Sequence, residues 1–336
     1  MQNCNKFFLI AFFLGIILTT GCINTGVDQS LDPDIPITTP ASTQPGAVIT
    51  TSPPSFTITR QMLTMTNGSY TINATFPRVS GELPVYSLQK PNFTKAWVKT
   101  LAEDLGMSPD IIESDNGFSV NSSDIGKYYF YIRKDTGEIS FQNFSGRSGQ
   151  PQPPTQAISD ANNFLNKHGI MPADAYEPVV NYNGGQSISP SGKPQIDWQT
   201  SVINYKRKIN GLPVYGAAAK LEVELDSNGN IIGIHKNWPE YQINKTSIAK
   251  SPEMAFFDSE NYINTHGLYW NAFPFWPEKI VIHQIGFVYV QGIRNESGYL
   301  KPAYVFWGDG IQGDKSDRFS SAIIVSAIDG DPECRI

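Results

Sequence analysis

The stretch YKRKINGLPVYGAAAKLEVELDSNGNIIGI, residues 205–234, decides how the chain folds. From Val214 to Leu225, small and apolar side chains alternate with charged ones, the period-two pattern of a strand that buries one face. The charged positions of this alternation are Lys220, Glu222 and Glu224. Asn210-Gly211 before the strand and Asp226 to Gly229 after it are both typical of tight turns. The stretch therefore predicts an antiparallel meander.

Length and composition indicate a globular body. The chain has 336 residues, of which 40% are hydrophobic and 12% aromatic, enough to build the cores of two or three domains. The formal net charge is −6, and the sequence contains no basic run longer than three residues. Because neutralising a phosphate backbone requires clustered Lys and Arg, we expect no nucleic-acid partner.

The N-terminus has the pattern of a secretion signal. Lys6 is followed by an apolar run from Phe7 to Leu18, which is short for a membrane-spanning helix, and then by small residues before Cys22. Residues 1–21 resemble a prokaryotic lipoprotein signal peptide, which implies that Cys22 is lipidated. The alternative is an uncleaved N-terminal helix. Both predict attachment to the cell membrane with the body on the extracytoplasmic face.

A tether and a glycosylated surface are expected next. Residues 22–55 are rich in Thr, Ser and Pro and have no helical or strand periodicity, which is typical of an extended tether. Seven Asn-x-Ser/Thr sequons follow, which together suggest a glycoprotein of an archaeal cell surface. They lie at Asn67, Asn73, Asn92, Asn121, Asn143, Asn244 and Asn295.

The body shows an internal repeat. Apolar spacing predicts helices over residues 92–105, 155–168 and 252–266, each followed by strands. The second and third helices match at an offset of 98 residues, for example at Ala157 and Ala255. We therefore predict an α+β fold made of repeated units of a helix packed on a small antiparallel sheet. The predicted units are an N-terminal α+β unit at 56–150 and two repeats at 151–250 and 251–336.

Several features of residues 155–310 support a family resemblance. Both repeat helices end in His-Gly, and Asn210-Gly-Leu-Pro-Val-Tyr215 and Trp238 flank the hairpin strands. Ile285-Gly-Phe-Val-Tyr289 and Leu300-Lys-Pro-Ala-Tyr-Val-Phe306 follow in the second repeat. The pattern resembles the extracytoplasmic YycH/YycI regulators of a cell-wall histidine kinase and, more broadly, tandem PepSY-type domains. The resemblance implies a non-catalytic regulatory domain with no catalytic residues.

No common signature of catalysis is present. The sequence lacks HExxH, a P-loop, GxSxG and a Cys pair at metal spacing, so we predict no enzyme, cofactor or metal. His168 and His266 each precede a Gly at a helix end, where a structural role is expected. The loop containing Asp309, Asp314 and Asp317 has the oxygen ligands that calcium prefers, but its spacing favours a solvated loop.

The densest aromatic stretch, residues 267–277, suggests a binding platform. Its candidate contacts are Trp270, Phe273 and Trp276. The alternative is a small satellite core over the sheet edge. We expect a non-catalytic cell-surface lipoprotein that binds or regulates another extracytoplasmic protein. The competing hypothesis is a carbohydrate- or small-solute-binding surface lipoprotein.

Overall fold

Strands dominate the computed structural model, which describes residues 56–67, 70–107, 110–121, 127–145, 147, 149–189, 194–266, 277–291, 298–318, 323–331 and 334–335. These residues belong to one compact unit, Thr38–Ile336, and contain seventeen strands. In chain order the strands are β1 (Phe56–Asn67), β2 (Tyr70–Gln89), β3 (Asp110–Glu113), β4 (Gly117–Asn121), β5 (Tyr128–Arg133), β6 (Ile139–Asn143), β7 (Ala175–Ile188), β8 (Pro194–Ile209), β9 (Leu212–Tyr215), β10 (Lys220–Leu225), β11 (Ile231–Asn237), β12 (Glu240–Ile248), β13 (Lys279–Gln291), β14 (Tyr299–Gln312), β15 (Lys315–Arg318), β16 (Ile323–Ser326) and β17 (Cys334–Arg335).

Three α-helices occur in the described residues, close to where apolar spacing predicts them. They are α1 (Lys95–Asp104), α2 (Pro154–Lys167) and α3 (Pro252–His266). The first begins later than predicted because the Thr94 side chain caps it, accepting a hydrogen bond from the Trp97 amide at 3.2 Å. The second ends at Gly169, whose φ of 64° suits a residue without a side chain. The predictions of all three helices are confirmed.

Eight strands form an antiparallel section of the sheet. Their spatial order is β3-β4-β5-β6-β11-β10-β8-β7, and every neighbouring pair is antiparallel. One face of this section packs against α1 and α2. The core so formed includes Val98, Leu101, Ala157, Leu165, Ile203, Val223 and Ile234.

The other nine strands form a mixed section around the long strand β2. The first half of β2 pairs with β1 and, over Tyr70–Ile72, runs parallel to β13. Its second half pairs with β12 and, at Tyr86 and Ser87, with the start of β14. Since β13 and β14 are themselves a hairpin, β2 contacts both sides of that hairpin. Helix α3 packs on this section through Ala255 and Phe256.

The β8–β9 hairpin joins the two sections. Its turn residues Asn210 and Gly211 have φ values of 50° and 77°, as expected for the Asn-Gly turn seen in the sequence. Strand β8 belongs to the antiparallel section, whereas β9 runs parallel to β13 in the mixed section. All seventeen described strands are therefore connected in one sheet network.

This architecture corrects the predicted fold class. The prediction of repeated units of a helix packed on a small antiparallel sheet is wrong, because the described chain is mostly one large mixed β-sheet. The strands of residues 56–150 are divided between the two sections, and β6 pairs with β11 across the linker that precedes α2. Helical and strand periodicity predict elements but not which distant strands pair. The domain boundaries themselves stay predictions.

The strand predicted from Val214 to Leu225 is interrupted. Strand β9 ends at Tyr215, Gly216 has a φ of 99°, and Ala217–Ala219 forms a 3₁₀ turn before β10 begins. The break has a structural reason, because β9 pairs in the mixed section and β10 pairs in the antiparallel section. The chain must therefore turn at Gly216 to pass from one section to the other. The hairpin from β10 to β11 is confirmed.

Candidate functional site

The candidate site lies on the face of the antiparallel section opposite α1 and α2. On β10, Leu221, Val223 and Leu225 enter the helix-side core, so Glu222 and Glu224 face the other way. Two cross-strand rows follow from the pairing. One row runs Glu224, Gly233, Gln142 and Tyr129, and the other runs Glu222, His235, Ser140 and Tyr131.

These rows enclose a half-open cavity of about 190 Å³. Its lining combines an aromatic ring, two carboxylates, an amide, a hydroxyl and an imidazole. The lining residues are Tyr129, Ser140, Phe141, Gln142, Glu222, Glu224, Gly233, Ile234 and His235. We call it the sheet cavity.

Glu224 is held rigidly in the sheet cavity. Its side chain is only 7% exposed, and one carboxylate oxygen accepts a hydrogen bond from the Thr200 hydroxyl at 2.6 Å. The other oxygen accepts from the Gln142 amide at 3.2 Å and lies 3.6 Å from the Arg147 guanidinium. These contacts compensate the burial of a charged group, which is costly without partners.

Gly233 makes the room for this arrangement. A Cβ atom at that position would lie 3.0 Å from the Cβ of Glu224 and 3.2 Å from the Gln142 side-chain oxygen. Both contacts are closer than side chains usually tolerate. The absence of a side chain at Gly233 therefore lets Glu224 and Gln142 approach each other across β11 and leaves room for the sheet cavity.

His235 is the titratable group most affected by its surroundings here. Burial lowers the pKa of His235, Lys220 lowers it further, and Glu138 and Glu222 act in the opposite direction. The imidazole is therefore neutral at pH 7 and offers one donor and one acceptor. Its Nδ1 lies 3.4 Å from the Ser140 hydroxyl. At this distance the two side chains are within reach of a weak hydrogen bond, whose direction depends on the tautomer of the ring.

Helix α3 presents a second unusual surface. Met254 is 54% exposed and Phe257 is 42% exposed, although the opposite side of the helix is buried in the core. Among their described residues, α1 and α2 expose no large hydrophobic side chain. We call the pair Met254 and Phe257 the α3 outer face.

Several sequence-predicted sites lie outside the described residues. These are Cys22 and the platform Trp270, Phe273 and Trp276. No helix within the described chain has the length and apolar character to cross a membrane.

The sequons differ in accessibility. Asn73, Asn92 and Asn244 are exposed, and Asn143 is partly buried, with its side-chain oxygen accepting bonds from the amide and hydroxyl of Ser145. The side chains of Asn67, Asn121 and Asn295 are outside the described set. Glycosylation at all seven stays a prediction.

The structure shows the surroundings of the histidine and aspartate residues that the sequence suggested as candidates. His168 is buried beside Asp104, with 3.1 Å between its Nε2 and the carboxylate, and its ring packs on Phe164. Burial lowers the pKa of His168, opposed by the charge of Asp104. Asp309 lies in β14 opposite Arg318, Asp314 lies in the turn before β15, and Asp317 lies in β15 opposite Gly310. Within the part of the chain that the structure describes, no three His, Cys, Asp or Glu residues are grouped to hold a metal.

The sheet cavity was not found by sequence reasoning. Alternation in β10 correctly places Glu222 and Glu224 on one face, but it does not show which side chains lie opposite. Gln142 and His235 are 93 positions apart and meet only through the β6–β11 pairing. His235 lies opposite Glu222, a neighbour that the sequence around His235 does not indicate.

Comparisons with solved structures give six similar chains, of which two illustrate the likeness. No protein-family model matches the chain, and no curated protein does. The chain is similar to the crystal structure of an uncharacterized protein from Eubacterium rectale ATCC 33656, with 12% identity, a TM-score of 0.44, and coverage of 81% of this chain and 92% of the other. It is also similar to the Bacillus megaterium YpeB C-terminal domain, with 13% identity, a TM-score of 0.31, and coverage of 74% and 98%. At these values neither likeness bears on function, and the YycH/YycI resemblance stays a prediction.

Proposed function

We propose that the protein is a non-catalytic lipoprotein of the extracytoplasmic membrane face that binds and regulates another extracytoplasmic protein through the α3 outer face. The observation that carries this proposal is the exposure of Met254 and Phe257 on a helix whose inner side is already buried. Large exposed apolar side chains that lie together mark interaction surfaces.

The α3 outer face is well positioned to receive a partner. Met254 and Phe257 are three residues apart, so their side chains are neighbours on the helix surface. Ser251 accepts a hydrogen bond from the Met254 amide at 3.2 Å, and Glu253 pairs with Arg78 of β2 at 3.2 Å. Lys250, nearly fully buried, contacts Asp258 at 2.6 Å. These contacts fix the start of α3, so little order has to be gained on binding.

The partner expected here has an apolar groove that accepts one helix face. Recognition of this kind uses anchors spaced at three or four residues, as Met254 and Phe257 are. Attachment through Cys22 and the 22–55 tether would restrict the partner to proteins at the same membrane surface. The resemblance to extracytoplasmic regulators is consistent with that restriction.

A site-specific photocrosslinker tests the proposal. It is placed at Phe257 and, as a matched control, at Phe144, which is 54% exposed on the antiparallel section. Each purified protein is added to membranes of the native host, and any crosslinked protein is identified and then purified. We expect one saturable crosslink from position 257 and none from position 144.

The purified partner provides the decisive measurement. Met254→Ser should weaken its binding by about tenfold or more, the equivalent of roughly 1.4 kcal/mol, without changing stability. Ile112→Ser, which changes a 50% exposed side chain on β3, serves as the control and should bind as wild type. Equal binding by the Met254 and Ile112 variants would contradict the proposal, as would crosslinks of equal intensity from both positions.

A further inference from the structure

We propose that the sheet cavity binds a carbohydrate, with one pyranose ring seated between Tyr129 and the Glu222–His235 pair. This inference goes beyond the proposed protein partner, and it rests on a different section of the sheet. The supporting features are the size of the sheet cavity, its hydrogen-bonding groups, its charged lining residues and its exposed tyrosine ring.

The size of the sheet cavity limits the ligand. Its volume of about 190 Å³ is below the roughly 300–1,000 Å³ of pockets that enclose drug-sized molecules. It is half open to solvent, so a ligand would enter with one end and leave the other outside. This suits a single ring within or at the end of a longer glycan.

The polar groups match a ligand that carries several hydroxyl groups. Glu222 and the side-chain oxygen of Gln142 accept hydrogen bonds, and Ser140 and the neutral His235 can each donate and accept. A sugar hydroxyl also donates and accepts at one atom, so neighbouring hydroxyls can pair with such a mixed set. A purely donating ligand would leave the donors of the cavity unpaired, which costs binding free energy.

The charged side chains that line the sheet cavity are the carboxylates of Glu222 and Glu224. Glu224 is already paired, because it lies 3.6 Å from the Arg147 guanidinium and accepts a hydrogen bond from Thr200 at 2.6 Å. An incoming anion would be repelled by both carboxylates, and a neutral ligand avoids that repulsion. Binding of a cationic probe distinguishes a neutral ligand from a cationic one.

Tyr129 supplies the apolar wall of the sheet cavity. It pairs across the strands with Gln142, and 52% of its surface is exposed even though it lines the cavity. An exposed aromatic ring beside convergent polar groups offers a flat apolar surface on which the C–H face of a sugar can pack. At the other end of the same cross-strand row, Thr200 and Gln142 hold Glu224 in place before any ligand arrives.

Direct binding measurements test the inference on the purified extracytoplasmic chain. The probes are free D-glucose, D-galactose, D-mannose and N-acetyl-D-glucosamine. Their binding is measured by saturation-transfer NMR and calorimetry. We expect at least one to bind saturably with a Kd of about 1–10 mM, the range of a single small contact surface. Argininamide, a cationic probe, should bind more weakly than that sugar.

Matched variants locate the site. Tyr129→Ala and Glu222→Gln should each weaken sugar binding by about tenfold, or roughly 1.4 kcal/mol. Tyr182→Ala, which removes a 46% exposed tyrosine from β7, should change the Kd for the sugar less than twofold. Thermal unfolding of the three variants verifies that each is folded, and Tyr129→Phe, which keeps the ring, should retain binding.

Three results would overturn the carbohydrate site. They are the absence of saturable binding by all four sugars, preference for argininamide over every sugar, and equal loss of binding in the Tyr129 and Tyr182 variants. None of them affects the crosslinking result at the α3 outer face, so the two proposals succeed or fail separately.

Discussion

Arg207 shows how one residue stabilises the junction between the two sections of the sheet. Its side chain, almost completely buried, donates from Nε to Asp174 at 2.7 Å and from its two terminal nitrogens to the carbonyls of Ala218 and Pro239 at 2.8 and 2.9 Å. The guanidinium also lies over the rings of Trp238 and Tyr241. A planar group with several donors is needed for these contacts, which Lys cannot replace.

Removing this side chain should be strongly destabilising. We expect Arg207→Ala to lower the free energy of unfolding by about 3–5 kcal/mol, because Asp174 would remain with its main charged partner gone. The control is Arg133→Ala, which removes an exposed ion pair with Asp135 and should cost about 0.2–1 kcal/mol. Urea titrations of both variants measure the difference. Similar losses in the free energy of unfolding at the two positions would show that Arg207 does not stabilise the junction between the two sections.

At the scale of elements, the β8–β9 turn is a feature whose sequence determines its conformation. Asn210 and Gly211 both have positive φ, which few other residue pairs adopt without strain. Gly211→Ala should destabilise the protein by about 1–2 kcal/mol, the cost of a left-handed conformation with a Cβ atom. Gly298→Ala is the control, since a Cβ there would meet no atom within 4 Å. Thermal unfolding compares them, and equal melting temperatures would exclude strain at the turn.

The individual elements were largely predictable from the sequence. The three helices follow from apolar spacing, and the matched positions Ala157 and Ala255 are both buried, although the repeated units predicted from that match are wrong. The Asp226–Gly229 turn was also predicted, and its reason is visible, since the Asp226 carboxylate accepts the amides of Asn228 and Asn230 at 2.8 Å each. Helices, helix ends and turns depend mainly on neighbouring residues, so a short stretch of sequence is enough to predict them.

The arrangement of the elements was not predictable in the same way. A strand's periodicity defines its two faces, but the same pattern is compatible with many partners. The alternation around Glu222 and Glu224 therefore indicated a polar face without indicating Gln142 or His235. Strands β6 and β11 pair with each other, and this pairing joins units that the sequence predicts as separate. Neither a buried Glu224 nor the room left by Gly233 has a signal in the sequence alone.

At the scale of the whole molecule, attachment to the membrane is the prediction with the widest effect. Cys22 precedes the tether, and lipidation there would retain the protein at the cell surface. We expect Cys22→Ser to release the protein to the medium or to leave its signal uncleaved, and fractionation with mass determination distinguishes these outcomes. Unchanged retention together with an intact signal in the wild-type protein would instead indicate an uncleaved N-terminal anchor.

The pairing of β2 with both sides of the β13–β14 hairpin determines the order in which the chain can be completed during synthesis. Ile72 pairs with Ile282, more than 200 positions later. The antiparallel section, by contrast, uses only residues between 110 and 237. A growing polypeptide can thus assemble the antiparallel section and pair β1 with β2 while Ile72 of β2 still lacks its second neighbour, Ile282 of β13. Contacts so distant along the chain form slowly and leave apolar strand surface uncovered in the meantime. The chain is consequently most vulnerable to aggregation until β13 and β14 are available.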